Sequence, residues 1–279
     1  MNEWSGMTSS KKKWTLFCGN SLDVLTQMQS ESVNCVITSP PYYSLRDYKI
    51  NGQIGLEETV EEYIDALYNI FNEVYRILQT NGLFFLNIGD TYYSGKGKSH
   101  GVDPKSRKRR FGLRPVDKSG GLGLKLQRKS IIGIPWRIAI EMMSHKWILR
   151  TPIIWHRAKA LPESVKDRPR RSYEYVFMFA KDRHYYFNRQ PLKDKDFDED
   201  VWTIFARPKI NGSIETAPFP DELVSRCLDI GCRSDGIVLD PFVGSGTTMR
   251  VALQSGRDAV GIDLSPDFCN YTLSELRKL

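Results

Sequence analysis

Apolar residues recur at every third or fourth position over residues 59–78, and this spacing predicts an amphipathic helix. A capping box formed by Thr59 and Glu62 marks its start, and Asn81-Gly82 supplies a stop. An apolar run before this helix and the run LFFLNI at 83–88 predict two buried strands. Strand, helix and strand in this order favour a parallel sheet, because the helix serves as the crossover between parallel strands.

Other apolar runs continue this alternation of strands and helices along the chain. Residues 1–13 lack such a pattern and are expected to form a frayed tail, and residues 181–215 are expected to be irregular. The pattern as a whole favours an α/β fold with a doubly wound, mostly parallel sheet. Strands are expected at 14–20, 33–39, 83–88, 151–157, 172–180, 236–240 and 258–263, and further helices at 21–28, 134–144, 218–231, 247–255 and after 263.

The composition of the 279 residues is typical of a globular protein, with 41% hydrophobic and 26% charged residues, and it excludes disorder as the main state. No run approaches the roughly 18 uncharged apolar residues that a membrane-spanning helix needs. The basic N-terminus is not followed by an apolar run, so a secretory signal is not expected. Five scattered cysteines without a C-x-x-C pair fit a reducing cytoplasm and argue against a disulfide framework or a zinc site.

Positive charge is concentrated in residues 94–129, which hold twelve basic and two acidic residues in a chain of net charge +7. The segment is rich in glycine and lacks apolar periodicity, which predicts a loop. It is either a solvated charged loop or a contact surface for a polyanion, because clustered cations gain from the release of phosphate counterions. The candidate DNA-contacting side chains are Lys105, Arg107, Lys108, Arg109, Arg110 and Lys129.

The segment LDPFVGSGTT, residues 239–248, places a glycine loop between a strand and a helix that begins at Thr247. Gly244 and Gly246 let the backbone approach a ligand closely, and the free N–H groups of a helix N-terminus suit an anion. The next strand ends in Asp263, where an acidic side chain can accept both hydroxyls of a ribose. Together these features favour a nucleoside ligand, whereas tight helix–strand packing is the alternative explanation of the glycines. The full G-x-G-x-x-G pattern is absent, which argues against NAD.

A second motif, TSPPYY at 38–43, ends a predicted core strand. Two successive prolines fix φ twice and remove two N–H donors, so the turn is stiff. The carbonyls of Ser39 and Pro40, with the Ser39 hydroxyl, can then accept both hydrogens of an exocyclic amine. Tyr42 offers a flat face on which a planar base can stack. A plain strand-terminating turn is the alternative, but the position beside a nucleoside loop favours an amine site.

Together these motifs closely resemble those of the amino-group DNA methyltransferases. The resemblance extends from about Leu16 to Asp263 and includes NGLFFLNIGDTY, TPIIWHRAKALPES, YEYVFMFAK and PFPDELV. In that family the glycine loop binds S-adenosylmethionine, and S-P-P-Y is the catalytic motif. Here the catalytic motif precedes the cofactor loop by about 200 residues, which resembles the permuted β arrangement. The S-P-P-Y form, as opposed to D-P-P-Y or N-P-P-Y, points within the family to cytosine N4.

The resemblance implies a role for each matching position. It places Gly244, Gly246 and Thr247 at the methionine end of the cofactor and Asp263 on its ribose. Asn20 stands where many relatives have an aspartate that contacts the adenine ring. No metal is implied. The implied catalytic residues are Ser39, Pro40, Pro41 and Tyr42, and the implied cofactor-binding residues are Asn20, Pro218, Asp240, Phe242, Gly244, Gly246, Thr247 and Asp263.

The resemblance also implies a domain organisation. The methyltransferase sheet is expected to have seven strands, with the strands that end at Ser39 and Asp240 side by side, and to carry a basic loop insertion. The methyltransferase domain would span 14–279, with catalytic parts at 14–93 and 131–181, a cofactor part at 216–279, a DNA-contacting insertion at 94–130 and a target-recognition region at 182–215.

The implied substrate is double-stranded DNA, modified by base flipping in a restriction–modification system or by an orphan or phage enzyme. Any cognate restriction endonuclease would act separately, and the protein would be a monomer or weak dimer without a membrane partner. Methylation at cytosine C5 is not expected, because that chemistry uses a cysteine after a proline and no cysteine here follows one. Adenine N6 is the nearest alternative target. Methylation of RNA or of a glutamine amide would use the same kind of amine pocket. An inactive DNA-binding module is the alternative from a different functional class.

Overall fold

One mixed sheet of nine strands runs through the residues that the computed structural model describes, which are 1–93, 125–158, 165–194, 199–205 and 220–279. The alternation of strands and helices confirms the α/β class. The strands are β1 (Asn2–Met7), β2 (Lys13–Cys18), β3 (Val33–Thr38), β4 (Leu78–Ile88), β5 (Ile148–Ala158), β6 (Tyr173–Ala180), β7 (Val201–Phe205), β8 (Ile237–Asp240) and β9 (Asp258–Asp263). The helices are α1 (Ser21–Gln27), α2 (Val60–Ile77), α3 (Ile134–Ser144), α4 (Gln190–Asp194), α5 (Asp221–Gly231), α6 (Thr247–Gln254) and α7 (Pro266–Leu276).

The strand order is β1-β2-β9-β8-β3-β4-β6-β5-β7. β2, β9, β8, β3 and β4 run parallel, whereas β1 is antiparallel to β2, and β6 is antiparallel to both β4 and β5. β3 and β8 are neighbours, as predicted, and their register pairs Cys35 with Val238. A sheet of this kind forms its ligand crevice at the carboxyl ends of the parallel strands. None of the helices in the described ranges is both long and apolar enough to cross a membrane.

Helices cover both faces of the sheet and form two apolar cores. α1, α2 and α3 contribute to the core on one face, and α5, α6 and α7 contribute to the core on the other. Successive side chains of β3 alternate between the two, since Val36 lies in the first core and Cys35 and Ile37 lie in the second. Burial on both faces explains why the central strands are continuous apolar runs in the sequence.

The long helix α2 confirms the prediction made from apolar spacing, and its capping box is formed in both directions. The predicted stop at Asn81-Gly82 is wrong, because the helix ends at Ile77 and β4 begins at the next residue. Gly82 lies inside β4, where a β-carbon would be 2.8 Å from the carbonyl oxygen of Asn34. This glycine therefore allows close approach of neighbouring chain segments and does not end the helix.

Two edge strands account for the difference between the seven strands expected and the nine observed. Residues 1–13 are not a frayed tail, because they include β1, and the segment expected to be irregular contains α4 and β7. β1 pairs along its whole length with β2, and Gly6 leaves room for the indole of Trp14. β7 pairs in parallel with β5 and buries only alternate residues, Trp202 and Ile204. β1 has no buried residue and lacks the continuous apolar run by which central strands are predicted.

Candidate active site

A hydrogen bond between two buried side chains joins the carboxyl ends of β3 and β8. Thr38, the last residue of β3, donates its hydroxyl to the Asp240 carboxylate at 2.5 Å. The same carboxylate accepts from the Thr248 hydroxyl at 2.7 Å and from the Phe242 N–H at 3.0 Å. Asp240 is 1% exposed, and its burial raises its pKa to about 6. This predicted cofactor residue therefore connects the S-P-P-Y turn to the glycine loop.

The glycine loop, residues 241–246, links β8 to α6 and needs glycine at two positions. Gly244 has a φ of +52° and Gly246 a φ of +82°, a region that strains other residues. A β-carbon at Gly246 would also lie 2.7 Å from Thr272, whose hydroxyl donates to the Gly244 carbonyl at 2.9 Å. Packing against α7 thus explains part of the glycine requirement. α6 begins at Thr247, so its first N–H groups, which have no partner inside the helix, lie where this loop ends.

Asp263 ends β9 beside the glycine loop. Its carboxylate accepts from the backbone N–H groups of Gly244 and Ser265, each at 2.8 Å. Its carbonyl accepts from the N–H of Gly19 at 2.9 Å, which brings the end of β2 next to the end of β9. The next residue, Asn20, caps the first turn of α1 with its side-chain oxygen. The structure thus brings Asn20, Asp263 and the glycine loop to the same edge of the sheet.

Ser39 and Tyr42 lie close together in the S-P-P-Y turn, with 3.4 Å between their side-chain oxygens. The Tyr42 hydroxyl donates to Glu174 at 2.6 Å and lies 3.2 Å from the side-chain oxygen of Asn87. Burial, followed by the charge of Glu174, raises the pKa of Tyr42 well above its ordinary value, so the hydroxyl stays protonated. Its ring rests on Gly89, where a β-carbon would be 2.6 Å from the ring Cε2. The tyrosine is therefore held at its hydroxyl and against its ring.

The S-P-P-Y turn is anchored on α2 through Pro41. Pro40 is buried, and the Pro41 carbonyl accepts from the Tyr63 hydroxyl at 2.8 Å. Tyr43 is 2% exposed and packs against Tyr63 with 5.2 Å between ring centroids, so it belongs to the core. The S-P-P-Y turn therefore has a fixed position relative to the sheet.

Glu174 and Asn87 are site residues that the sequence patterns do not identify. Asn87 is 4% exposed in β4, and Glu174 is 9% exposed in β6. Arg157 of β5 forms an ion pair with Glu174 at 2.9 Å, and the Asn87 amide donates to the same carboxylate at 3.3 Å. The available signal was a single glutamate inside the apolar run YEYVFMFA, because a buried carboxylate needs partners.

The predicted DNA-contacting residues are only partly described. Lys129 is exposed, and its ammonium pairs with Asp167 at 2.5 Å. Arg171 donates to the Asp90 carbonyl, so the chain leading into β6 lies beside the end of β4. In the described part of the chain, no three side chains of metal-binding type form a cluster that could hold an ion. The predicted site residues outside the described ranges are Lys105, Arg107, Lys108, Arg109, Arg110 and Pro218.

Comparison with known proteins identifies a family. Residues 33–274 match the DNA methylase family of N6 and N4 methyltransferases. The chain is 39% identical over 269 residues to the Type II methyltransferase M.Cfr9I of Citrobacter freundii, a match that covers 94% of this chain and 87% of that protein. It is 38% identical over 272 residues to the Type II methyltransferase M.SmaI of Serratia marcescens, a match that covers 95% of this chain and 91% of that protein.

Solved structures share the fold. The cytosine-N4-specific PvuII DNA methyltransferase superposes with a TM-score of 0.72 at 19% identity, covering 99% of this chain and 90% of that chain. TTHA0409 of Thermus thermophilus, in complex with S-adenosyl-L-methionine, superposes with a TM-score of 0.64 at 24% identity, covering 94% of each chain. The family match covers most of the chain, and the S-P-P-Y turn and the glycine loop meet at one edge of the sheet. This protein therefore belongs to the S-adenosylmethionine-dependent DNA methylases of the N6/N4 amino-methylating family.

Proposed function

We propose that this protein methylates the exocyclic N4 amine of cytosine in double-stranded DNA and serves as the modification enzyme of a restriction–modification system. The observation that supports the proposal is the position of the S-P-P-Y turn next to the glycine loop. Thr38, which directly precedes Ser39, is bonded to Asp240, the residue that directly precedes this loop. The Type II methyltransferase names of the relatives support the biological setting. The cytosine-N4 specificity of the PvuII enzyme supports the choice of base.

The cofactor is assigned to the edge formed by β2, β8 and β9. When bound, S-adenosylmethionine supplies an electrophilic methyl group on a sulfonium. We assign its carboxylate to the N–H groups that begin α6, its ribose hydroxyls to Asp263 and its adenine to Asn20. Two backbone N–H groups hold the Asp263 carboxylate in one orientation, which suits it to receive a ribose. The half-buried Phe242 and, from the resemblance, Pro218 are assigned to the remaining wall of this pocket.

The target amine is a poor nucleophile, because its lone pair is delocalised into the ring. We assign the Ser39 hydroxyl oxygen and the Pro40 carbonyl as acceptors of its two hydrogens. Such acceptors favour a pyramidal nitrogen and stabilise the positive charge that develops on it. Anchoring of Pro41 by Tyr63 keeps both acceptors in place before the substrate arrives. Alignment of the nitrogen with the methyl group and its leaving group supplies the proximity effect.

A cytosine in duplex DNA must leave the helix to reach this turn, which costs on the order of a few kcal/mol. The aromatic ring of Tyr42 packs on Gly89, and its hydroxyl is bonded to Glu174. These two contacts fix the ring in place. We assign this ring as the platform on which the extruded base stacks. Stacking on a preorganised ring offsets part of the cost of flipping.

DNA contacts are assigned to two regions by the same reasoning. The basic insertion at 94–130 would follow the phosphates, which position the protein, and the region 182–215 would read base edges. Lys129 and Asp167 form an exposed pair, which is worth little in water, so Lys129 can exchange this partner for a phosphate. β7 lies within the second region and pairs with β5, which joins the proposed recognition region to the catalytic sheet.

Adenine N6 is the second candidate, because the family model covers both amines. Mass spectrometry of nucleosides separates the two after genomic DNA from a methylation-deficient host is treated with the enzyme and S-adenosylmethionine. N4-methyldeoxycytidine is expected, and Ser39→Ala should abolish it while the protein keeps its melting temperature and cofactor affinity. N6-methyldeoxyadenosine would move the proposal to adenine. The absence of any methylated nucleoside would favour an inactive DNA-binding module.

A further inference from the structure

A largely buried polar cluster lies behind Tyr42 and holds the tyrosine hydroxyl. It contains Glu174, Arg157 and Asn87, contributed by β6, β5 and β4. We propose that Glu174 is a positioning residue that sets the direction of the hydrogen bonds through Tyr42 to Ser39, so that the Ser39 oxygen accepts a hydrogen from the target amine. This inference rests on the proposed function, in which Ser39 is that acceptor.

Glu174 is surrounded by donors, which identifies it as an acceptor. Its Oε1 receives the Arg157 guanidinium at 2.9 Å, and its Oε2 receives the Tyr42 hydroxyl at 2.6 Å and the Asn87 amide at 3.3 Å. An ionised carboxylate has no hydrogen to donate. The Tyr42 hydroxyl must therefore point its single hydrogen at Glu174 or, at 3.2 Å, at the Asn87 oxygen. In both cases Tyr42 is the donor.

The direction at Tyr42 determines the direction at Ser39. With its hydrogen committed, the Tyr42 oxygen can only accept from Ser39, and the two oxygens lie 3.4 Å apart. The Ser39 hydroxyl has one hydrogen, which this bond uses, so its remaining lone pairs are available as acceptors. An amine hydrogen needs such an acceptor. A Ser39 hydroxyl that pointed its hydrogen at the amine would oppose the reaction.

Folding stability is a poor explanation of this arrangement. Replacing a buried ion pair by apolar residues of similar size often leaves stability unchanged or raises it. Glu174 lies in a strand whose other buried residues are apolar, including Val176 and Phe177. The carboxylate nevertheless has both oxygens engaged, one towards Arg157 and the other towards the S-P-P-Y turn.

The test is Glu174→Gln in the full chain, with kcat measured as total transfer of tritiated methyl groups to DNA. The guanidinium of Arg157 has only donors, so it bonds to the amide oxygen of the glutamine. The NH₂ group of the glutamine then faces Tyr42, and the tyrosine hydroxyl loses its charged acceptor. We expect kcat to fall about tenfold or more, on the scale of lost oriented donors or acceptors in active sites. The KM for S-adenosylmethionine should stay near that of the wild type, whereas the melting temperature should fall, because Arg157 loses its charged partner. Glu73→Gln, which breaks the Arg76 pair at 2.8 Å on α2, is the matched control and should leave kcat unchanged.

A role through Tyr42 predicts coupling that a purely structural role does not. In a Tyr42→Phe background, Glu174→Gln should lower kcat less than about twofold further, since the path to Ser39 is already broken. An equal loss in both backgrounds, or full activity of Glu174→Gln, would overturn the inference. If Glu174→Gln does not fold, Arg157→Met combined with Glu174→Leu removes the charges together, and the same loss of kcat is expected.

The identity of the methylated nucleoside is measured separately on the wild-type product. Methylation at adenine would refute the choice of cytosine without affecting the test of Glu174, because total methyl transfer reports on either amine. Conversely, N4-methyldeoxycytidine together with unchanged kcat in Glu174→Gln would retain the proposed function and reject the positioning role.

Discussion

Thr38 and Asp240 are 202 positions apart in the chain, and their side-chain oxygens lie 2.5 Å apart at the ends of adjacent strands. The bond connects the turn assigned to the base with the loop assigned to the cofactor. Asp240 has its carboxylate bonded to Thr38, Thr248 and the Phe242 N–H, so its role in the structure is to hold these two segments together. Direct contact between Asp240 and the cofactor stays a prediction.

Stability should depend on pH through Asp240. Burial raises its pKa to about 6 in the folded protein from an ordinary value of 3.8, so the folded state binds the proton more tightly than the unfolded state. The favourable contribution is fully present below pH 3.8 and is lost as the pH rises through about 6, by up to about 3 kcal/mol. The free energies of unfolding of the wild type and of Asp240→Asn can be measured in urea at pH 4, 5.5 and 7. As the pH rises, the wild type should lose stability relative to the asparagine variant. A difference in unfolding free energy that stays constant with pH would contradict the raised pKa of Asp240.

Cofactor affinity should depend on Asp263. Asp263→Ala removes the assigned ribose acceptor and the partner of the Gly244 N–H, and should weaken S-adenosylmethionine binding by roughly 1–3 kcal/mol. Calorimetric titration measures this directly. Asp258→Ala is the matched control, because Asp258 begins the same strand at its opposite end and accepts from the Lys13 N–H, which lies outside the site. Equal affinities of the Asp263 variant and the control would remove the assignment.

Gly89 should affect methyl transfer through its contact with the Tyr42 ring. Gly89→Ala places a β-carbon where it would be 2.6 Å from the Tyr42 ring, so the ring must shift. We expect methyl transfer to fall about tenfold, with a stability loss of about 1–3 kcal/mol from overpacking. In a Tyr42→Ala background the new methyl group has space, and Gly89→Ala should cause no further loss of activity. The same further loss in that background would show that the effect does not pass through Tyr42.

The basic insertion should determine the salt dependence of DNA binding. If the cations at 107–110 neutralise phosphates, log affinity should fall by about 0.9 per contact for each log unit of salt. Replacing Arg107, Lys108, Arg109 and Arg110 with alanine should weaken binding and flatten this slope by up to about 3.6. Fluorescence anisotropy over a salt series measures both effects, and cofactor affinity should not change. A slope equal to that of the wild type would identify the cluster as a solvated surface.

Elements with a local signature were predictable from the sequence. The α2 capping box and apolar stripe are properties of neighbouring residues, and the central strands are apolar because both of their faces are buried. The ends of β3 and β8 were correctly placed side by side through the family resemblance. The glycine loop and Asp263 adjoin each other, as the spacing of their motif indicated.

Features that depend on distant partners were not predictable in the same way. β1 is held by main-chain pairing with β2, and its six residues show no continuous apolar run. Glu174 is identified as a site residue only by its contacts with Tyr42 and Arg157, and the residue pair with Tyr42 is separated by 132 positions in the sequence. The end of α2 was misplaced because an Asn-Gly pair signals a turn locally, whereas packing against Asn34 puts Gly82 inside a strand.

The strand order also determines when the site can exist during synthesis. β2 pairs with β1 and β9, and β3 pairs with β4 and β8, so the first two strand pairs of the chain make no ladder with each other. They become parts of one sheet only when β8 and β9, residues 237–263, insert between them. Asn20 and Ser39 therefore reach their final separation last. A nascent chain cannot complete this edge of the sheet until its C-terminal strands have been made, although the S-P-P-Y segment leaves the ribosome early.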